Sequence, residues 1–301
     1  VQRDKGNNIQ VRDYAYPGTA PVKPRVLLTL FLGAFGGFGL AIGLAFFVNF
    51  LDDSIKSQDD VESYLRLPFL GYIPNIKTNS VVESGLQAHL HPQSNAAESF
   101  RTVRAAISLG AKAEKMRLFT VTSTIPSEGK SLVASNLAVV MAQTGLRTVL
   151  VDADLRRPSL HKAFQLHSPM GLAAYLTEKT NRVDEVIQTT EAANLDVVCC
   201  GPPPAQPSEL LGSQRMVQLM QELSRRYDRV ILDCPPVSAV SDPLILSAMA
   251  DAVVFVTKFN KVRRDHARRT ISRIQDAGIH ICGVVLNDID FEGRDSYYYS
   301  Y

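Results

Sequence analysis

Residues 26–51 read "VLLTLFLGAFGGFGLAIGLAFFVNFL" and contain no charged side chain. About 20 apolar residues already span a bilayer core as a helix. A soluble fold has no place for an uncharged helix of this length, so the run predicts one transmembrane helix. Gly33 with Gly37, and Gly39 with Gly43, have the small-xxx-small spacing that lets another helix approach closely. Just before the span, Pro17, Pro21 and Pro24 in "YPGTAPVKPR" exclude helix and predict an extended lead-in. The first residue is Val rather than Met, which reads as a piece of something longer.

After the span, "DDSIKSQDDVESYLRLPFLGYIP" (52–74) reads as a short charged helix and a turn. Residues 75–94 read as a polar, irregular linker. The remaining chain is long and apolar enough to bury a sizeable core. A net charge of +2 leaves no electrostatic footprint for nucleic acid, so none is expected as a partner. Cys199, Cys200, Cys234 and Cys282 lack metal-site or secreted-scaffold spacing and read as buried thiols in a reducing compartment.

From residue 117 the pattern is α/β. Apolar strands are predicted at 117–123, 147–152, 195–200, 229–234, 252–258 and 280–286, with helical stretches between them. Strands apolar nearly throughout, alternating with helices, imply a mostly parallel sheet covered on both faces. Between the first of these strands and the helix expected over 130–144 lies "STIPSEGKS", Ser123 to Ser131. Gly129-Lys130-Ser131 is the end of a P-loop, although the full pattern would place glycine where Thr124 stands. The helix start at Lys130, Ser131 and Leu132 offers free N–H groups to phosphate. Lys130 would reach the β- and γ-phosphates and Ser131 would ligate Mg2+. Asp152 and Asp154 in "VLVDADLRRP" follow a buried strand, and Asp233 in "VILDCPP" ends another. Carboxylates there project from the ligand-binding edge of an open α/β sheet. They suit a metal ligand and a general base.

These motifs resemble the bacterial tyrosine kinases (BY-kinases) of polysaccharide export. "STIPSEGKS" is similar to their Walker A, "VLVDADLRRP" to their Walker A′ and "VILDCPP" to their Walker B. The closing "YYYSY" resembles their tyrosine cluster. The implied fold is a P-loop NTPase-type α/β domain preceded by one transmembrane helix. The implied division is a periplasmic Pro-rich stub of a Wzz-type chain-length module (1–25), the span (26–51), a juxtamembrane linker (52–94), the kinase domain (95–288) and a tyrosine-rich tail (289–301).

The resemblance implies an ATP- and Mg2+-dependent protein-tyrosine autokinase. Lys130, Asp152 and Asp154 would be catalytic, Asp152 taking the proton of the attacking tyrosine. Glu128, Gly129, Lys130, Ser131, Leu132 and Asn287 would bind nucleotide, and Ser131, Asp154 and Asp233 would hold the metal. Arg156 would sit near developing phosphate charge. Tyr297, Tyr298, Tyr299 and Tyr301 would be the autophosphorylation sites. Glu98, Arg101 and Arg104 match an E-x-x-R-x-x-R motif that packs subunits into a ring, with Asn95 as the expected helix cap. Implied partners are other copies of the chain, the polysaccharide polymerisation and export machinery, a cognate tyrosine phosphatase and other protein tyrosine substrates.

Five Lys/Arg in residues 1–25 against two, Lys56 and Arg66, in 52–71 would by themselves put the N-terminal side in the cytoplasm. The ATP site reverses this, giving an inner-membrane protein with a cytoplasmic kinase domain. The tail "DIDFEGRDSYYYSY" is acidic and rich in hydroxyls, the composition of a solvated substrate segment. Two other readings share the sheet. One is a membrane-anchored ATPase of the MinD/ParA type, whose K-G-G-x-G-K-[ST] loop is contradicted by Ile125, Pro126 and Ser127. The other is a nucleotide-binding scaffold subunit without kinase turnover. The basic stretch Lys261 to Arg273 reads as a surface helix or a docking face for the acidic tail.

Overall fold

Eight strands form a single sheet in the computed structural model, which describes residues 12–14, 18, 23, 25–78, 80–110, 116–167 and 169–290. The chain divides into two units, residues 1–53 and 54–301. In the first, α1 (Val26–Leu51) is a continuous helix. Its Val26–Phe47 stretch has mean hydropathy 2.1 and no buried residues, so it is long and apolar enough to cross a membrane. A Cβ at Gly33, Gly37, Gly39 or Gly43 would meet nothing, so the small positions face open space. Pro17, Pro21 and Pro24 lie outside the described residues.

The second unit holds the strands β1 (Phe69–Pro74), β2 (Leu118–Ser123), β3 (Thr148–Asp152), β4 (Gln188–Thr189), β5 (Leu195–Val198), β6 (Arg229–Asp233), β7 (Ala252–Lys258) and β8 (Ile281–Ile289). They run in the order β1-β8-β7-β2-β6-β3-β5-β4, all parallel except the short antiparallel pair β4–β5. The helices are α2 (Val81–Gly85), α3 (Gln87–Leu90), α4 (Asn95–Leu109), α5 (Lys130–Ala142), α6 (Leu160–Ala163), α7 (Leu172–Leu176), α8 (Pro207–Leu211), α9 (Gln214–Arg226), α10 (Asp242–Ser247) and α11 (Arg264–Asp276). One face of the sheet packs a core that includes Phe100 and Val103 of α4 and Leu137 of α5. The other packs Leu219 and Leu223 of α9 and, in a separate cluster, Ile271 and Ile274 of α11. The helix α5 is buried from Val133 to Ala142, which explains why its apolar residues run all round it.

The segment expected to be a linker folds as part of this unit. Phe69–Pro74, read as a turn, is instead the edge strand β1 and pairs in parallel with β8. Proline at both ends (Pro68, Pro74) hides a strand from a sequence reading, yet an edge tolerates it. Within residues 75–94, α2 and α3 dock on α5 through Asn136. Its Oδ1 accepts from Ala88 N at 2.8 Å, and its Nδ2 donates to Ser84 O at 2.9 Å and Leu132 O at 3.0 Å. A buried amide satisfied in this way fixes both elements, since an unpaired one would cost about 1–3 kcal/mol. The cap of α4 is Ser94, not Asn95: Ser94 Oγ accepts from Ala97 N at 3.2 Å. Glu98, in the first turn, pairs with Arg101.

Candidate functional site

The strand order brings together what the sequence separates. The central strand β2 lies between β7 and β6, and β6 lies beside β3. In register, Asp233 pairs with Val121 on one side and Asp152 on the other. Three motifs from distant parts of the chain therefore meet at one sheet edge.

The loop between β2 and α5 has left-handed backbone at Ser127 (φ 62°) and Gly129 (φ 93°). Thr124 has no positive φ, so the loop needs no glycine there. At Gly129 glycine is required twice over, because a Cβ would also stand 2.0 Å from Asn287 Nδ2. The first backbone bond of α5 runs from Val133 N to Gly129 O at 2.9 Å. The amides of Lys130, Ser131 and Leu132 precede it and are the free donors an anion needs.

The loop is braced from the end of β7 and β8. Glu128, buried, accepts from Ile125 N at 2.6 Å and from Lys258 N at 3.2 Å. Burial raises its pKa, with those amides pulling the other way. Asn287 Nδ2 donates to Glu128 O at 2.9 Å. Lys261 Nζ donates to Ser127 O at 2.9 Å and Pro126 O at 3.3 Å. Glu128 and Asn287, expected to touch nucleotide, thus spend these polar atoms shaping the loop. The sequence reading missed Lys258 and Lys261, which act from some 130 residues away in the chain with no local signal.

Lys130 Nζ stands 3.1 Å from Asp154 Oδ2 and 3.8 Å from Asp233 Oδ1, and donates to Ser131 Oγ at 3.2 Å. Burial lowers its pKa, but Asp233 and Asp154 outweigh that and raise it overall. Asp154 Oδ1 accepts from Arg157 N at 3.0 Å. Asp152 Oδ2 accepts from Ser159 N and Leu160 N, both at 3.0 Å, which pins the turn after β3. Its Oδ1 is buried without a partner. Burial, then the neighbouring Asp233 charge, push the Asp152 pKa up to about 8. Burial also raises Asp233, with Lys130 opposing it.

Both Asp233 oxygens are buried and accept no hydrogen bond of good geometry. Among the described residues no cluster of His, Cys, Asp or Glu forms a complete metal cage. The oxygens of Ser131, Asp154 and Asp233 nevertheless fit Mg2+, which takes one or two carboxylates and completes its shell with phosphate and water. An orphaned buried carboxylate is what such a cation would satisfy.

A cavity of about 410 Å3 opens on this cluster, lined among others by Lys130, Ser131, Asp154, Arg156, Arg157 and Pro235. Asp154 lies on its wall and Asp152 does not. Arg156, expected beside developing phosphate charge, is clamped elsewhere. Its Nε donates to Asp242 Oδ2 at 2.8 Å and its Nη2 to Ser208 Oγ at 2.8 Å. Asp242 was missed because Ser-Asp-Pro before a helix reads as a cap.

Glu98 and Arg101 pair at 2.7 Å on the surface of α4. Arg104 turns inward and donates to Val140 O at 2.6 Å, satisfying a carbonyl in the last turn of α5. The basic stretch is a surface helix, buried at Ala267, Ile271 and Ile274. Arg264 is engaged, 2.8 Å from Asp60 and over the Tyr64 ring. All four cysteines are free thiols, three of them buried. Tyr297, Tyr298, Tyr299 and Tyr301 lie outside the described residues.

Comparison with known proteins agrees with this fold. A ParA family model, described as the NUBPL iron-transfer P-loop NTPase, matches residues 116–296, and a P-loop NTPase fold implies nucleotide binding. The chain is 33% identical to the tyrosine-protein kinase ptk of Acinetobacter johnsonii over 293 residues, 94% of this chain and 39% of that protein. The chain thus spans well under half the length of that relative. It is 36% identical to the tyrosine-protein kinase YwqD of Bacillus subtilis over 220 residues, 73% of this chain and 92% of that protein. The solved kinase domain of the Escherichia coli tyrosine kinase ETK is 28% identical, with a TM-score of 0.73 over 82% of this chain and all of that domain.

Proposed function

The chain belongs to the bacterial tyrosine-protein kinase family, and from that membership we propose that it is an ATP-dependent autokinase that phosphorylates the C-terminal tyrosines of a neighbouring copy. The observation that carries the reading is the meeting of Lys130, Ser131, Asp152, Asp154 and Asp233 at one sheet edge beside a cavity.

In this reading the amides of Lys130, Ser131 and Leu132 receive the nucleotide phosphates at the positive end of α5. Lys130, held charged by Asp154 and Asp233, neutralises the charge that develops on the transferred group. Mg2+ on Ser131, Asp154 and Asp233 would supply further charge neutralisation on the phosphates. A tyrosine hydroxyl has a pKa of about 10, so a positioned base matters at neutral pH. Asp152 offers one free oxygen for that task, and neutralisation of Asp233 by a bound cation would relieve the charge that helps raise its pKa to about 8, restoring the carboxylate that takes the proton. Asp154 is the second candidate, because it alone of the two lines the cavity.

Tyr297, Tyr298, Tyr299 and Tyr301 are the acceptors. Glu98 and Arg101, on the surface of α4, form the subunit contact of a ring while Arg104 holds α4 against α5, and each transferred phosphate, carrying about −1.5 to −2 charges, loosens that ring by repulsion. The site faces the cytoplasm, α1 anchors it in the inner membrane, and residues 1–25 belong to a periplasmic chain-length module. The system it serves is polysaccharide polymerisation and export, with a tyrosine phosphatase as antagonist and other tyrosine-bearing proteins as further substrates.

Incubation of the chain with Mg·ATP and mapping of phosphotyrosine by mass spectrometry tests the reading. Phosphate on the tail tyrosines, absent in Lys130→Met, supports it. ATP hydrolysis with no phosphotyrosine contradicts it and moves the chain to the ParA-type ATPase reading.

A further inference from the structure

We propose that Arg157 is the specificity residue of this site, reading an anionic side chain two positions before the acceptor tyrosine. That anion is a carboxylate in the unmodified tail and a phosphotyrosine after an earlier transfer. The inference rests on the kinase reading above and adds what the acceptor must carry.

Three cations line the cavity, and two are committed. Lys130 belongs to Asp154 and Asp233. Arg156 belongs to Asp242 and Ser208. The Arg157 side chain is exposed and has no partner among the described residues, while its backbone N–H is fixed at 3.0 Å by Asp154, the carboxylate on the cavity wall. A spare guanidinium is therefore anchored, through its own main chain, beside the reaction centre.

The floor of the site is acidic. Asp154 on the cavity wall and Asp233 behind it take up the one lysine, so the site has no spare positive charge there for an acidic peptide. The tail is such a peptide, with Asp290, Glu292 and Asp295 ahead of its tyrosines. A free arginine at the cavity supplies that charge, and its planar fork suits carboxylate and phosphate alike.

All the tail's acids precede its tyrosines, which puts the anion on the N-terminal side of the acceptor. In an extended chain residues i and i−2 share a face, about 7 Å apart. With Tyr297 at the centre, position i−2 is Asp295; with Tyr299 it is Tyr297; with Tyr301 it is Tyr299. Tyr298 has the neutral Ser296 there. Tyr297 is thus phosphorylated first, its phosphate recruits Tyr299, that of Tyr299 recruits Tyr301, and Tyr298 is last.

The test uses the full chain in detergent micelles with Mg·ATP. One arm follows the four tail tyrosines over time by mass spectrometry. The other compares added peptides of residues 288–301: unmodified, with Asp295→Asn, and with phosphotyrosine at 297. Expected are the order 297, 299, 301, 298, and KM values on the order of tenfold lower when the i−2 residue is charged. The Asp295→Asn peptide reports the carboxylate and the phosphopeptide the phosphate. Arg157→Ala and Arg157→Gln bring peptides with and without the anion to equal kcat/KM, and Arg157→Lys restores part of the difference. A variant that slows all peptides in the same proportion assigns Arg157 only a structural role and overturns the inference. Phosphotyrosine formed by the unaltered chain with no preference for the i−2 charge also overturns it, leaving the kinase reading intact. No phosphotyrosine on any peptide overturns both.

Discussion

Replacing Asp152 by Asn changes the pH dependence of stability in a direction fixed by the structure. Asp152 is buried beside Asp233 and its pKa is pushed up to about 8 from an ordinary 3.8. Between those values the native state holds a proton that the unfolded chain has released. Stability therefore falls as pH rises from about 4 to about 8 and levels off above, at about 1.4 kcal/mol per pH unit for one proton. From pH 5 to pH 7 the Asp152 contribution reaches about 3 kcal/mol, or roughly 5–10 °C in Tm for a domain of this size. Asparagine keeps an acceptor for Ser159 N and Leu160 N but does not titrate. The assay is thermal unfolding of both proteins at pH 5, 6 and 7 without magnesium or nucleotide. Asp152→Asn loses this part of the slope and is the more stable protein at pH 7. Parallel slopes would refute the claim that Asp152 is held protonated by its surroundings.

Three further outcomes follow from the geometry. Gly129→Ala, with φ 93° and a Cβ 2.0 Å from Asn287 Nδ2, reduces nucleotide affinity at least tenfold in a fluorescent-nucleotide titration, and Asn287→Ala recovers part of it. Arg156→Ala leaves Asp242 buried with Ser208 alone; because the arginine is 40% exposed, solvent screening limits the loss to about 1–2 kcal/mol in urea unfolding. Light scattering of unphosphorylated and fully phosphorylated protein gives a smaller mass for the latter, and equal masses would remove the idea that tail charge loosens the assembly.

The α/β pattern and the three motifs were legible because parallel strands buried on both faces read as short apolar runs. Thr148–Asp152, Arg229–Asp233 and Ala252–Lys258 lie where the sequence places strands. The order of those strands was not legible, and it is what sets Asp152 beside Asp233 and raises its pKa. The edge strand Phe69–Pro74 was hidden by Pro68 and Pro74 and by Gly71, whose missing Cβ leaves room for Val103. Glu128 and Asn287 were expected to bind nucleotide, and their contacts brace the P-loop backbone. Only a contact between segments distant in the chain, such as Lys261 with Ser127, separates a brace from a ligand.

The central claim is that this site passes the γ-phosphate to tyrosine rather than to water. The most direct measurement is its partition: the chain is given a limiting amount of γ-labelled Mg·ATP, and label on tyrosine and label released as inorganic phosphate are counted in the same sample. The account predicts that early label appears on Tyr297, Tyr298, Tyr299 or Tyr301 and that inorganic phosphate lags behind it. Stoichiometric release of inorganic phosphate with no labelled tyrosine would contradict the account and leave a P-loop ATPase in its place.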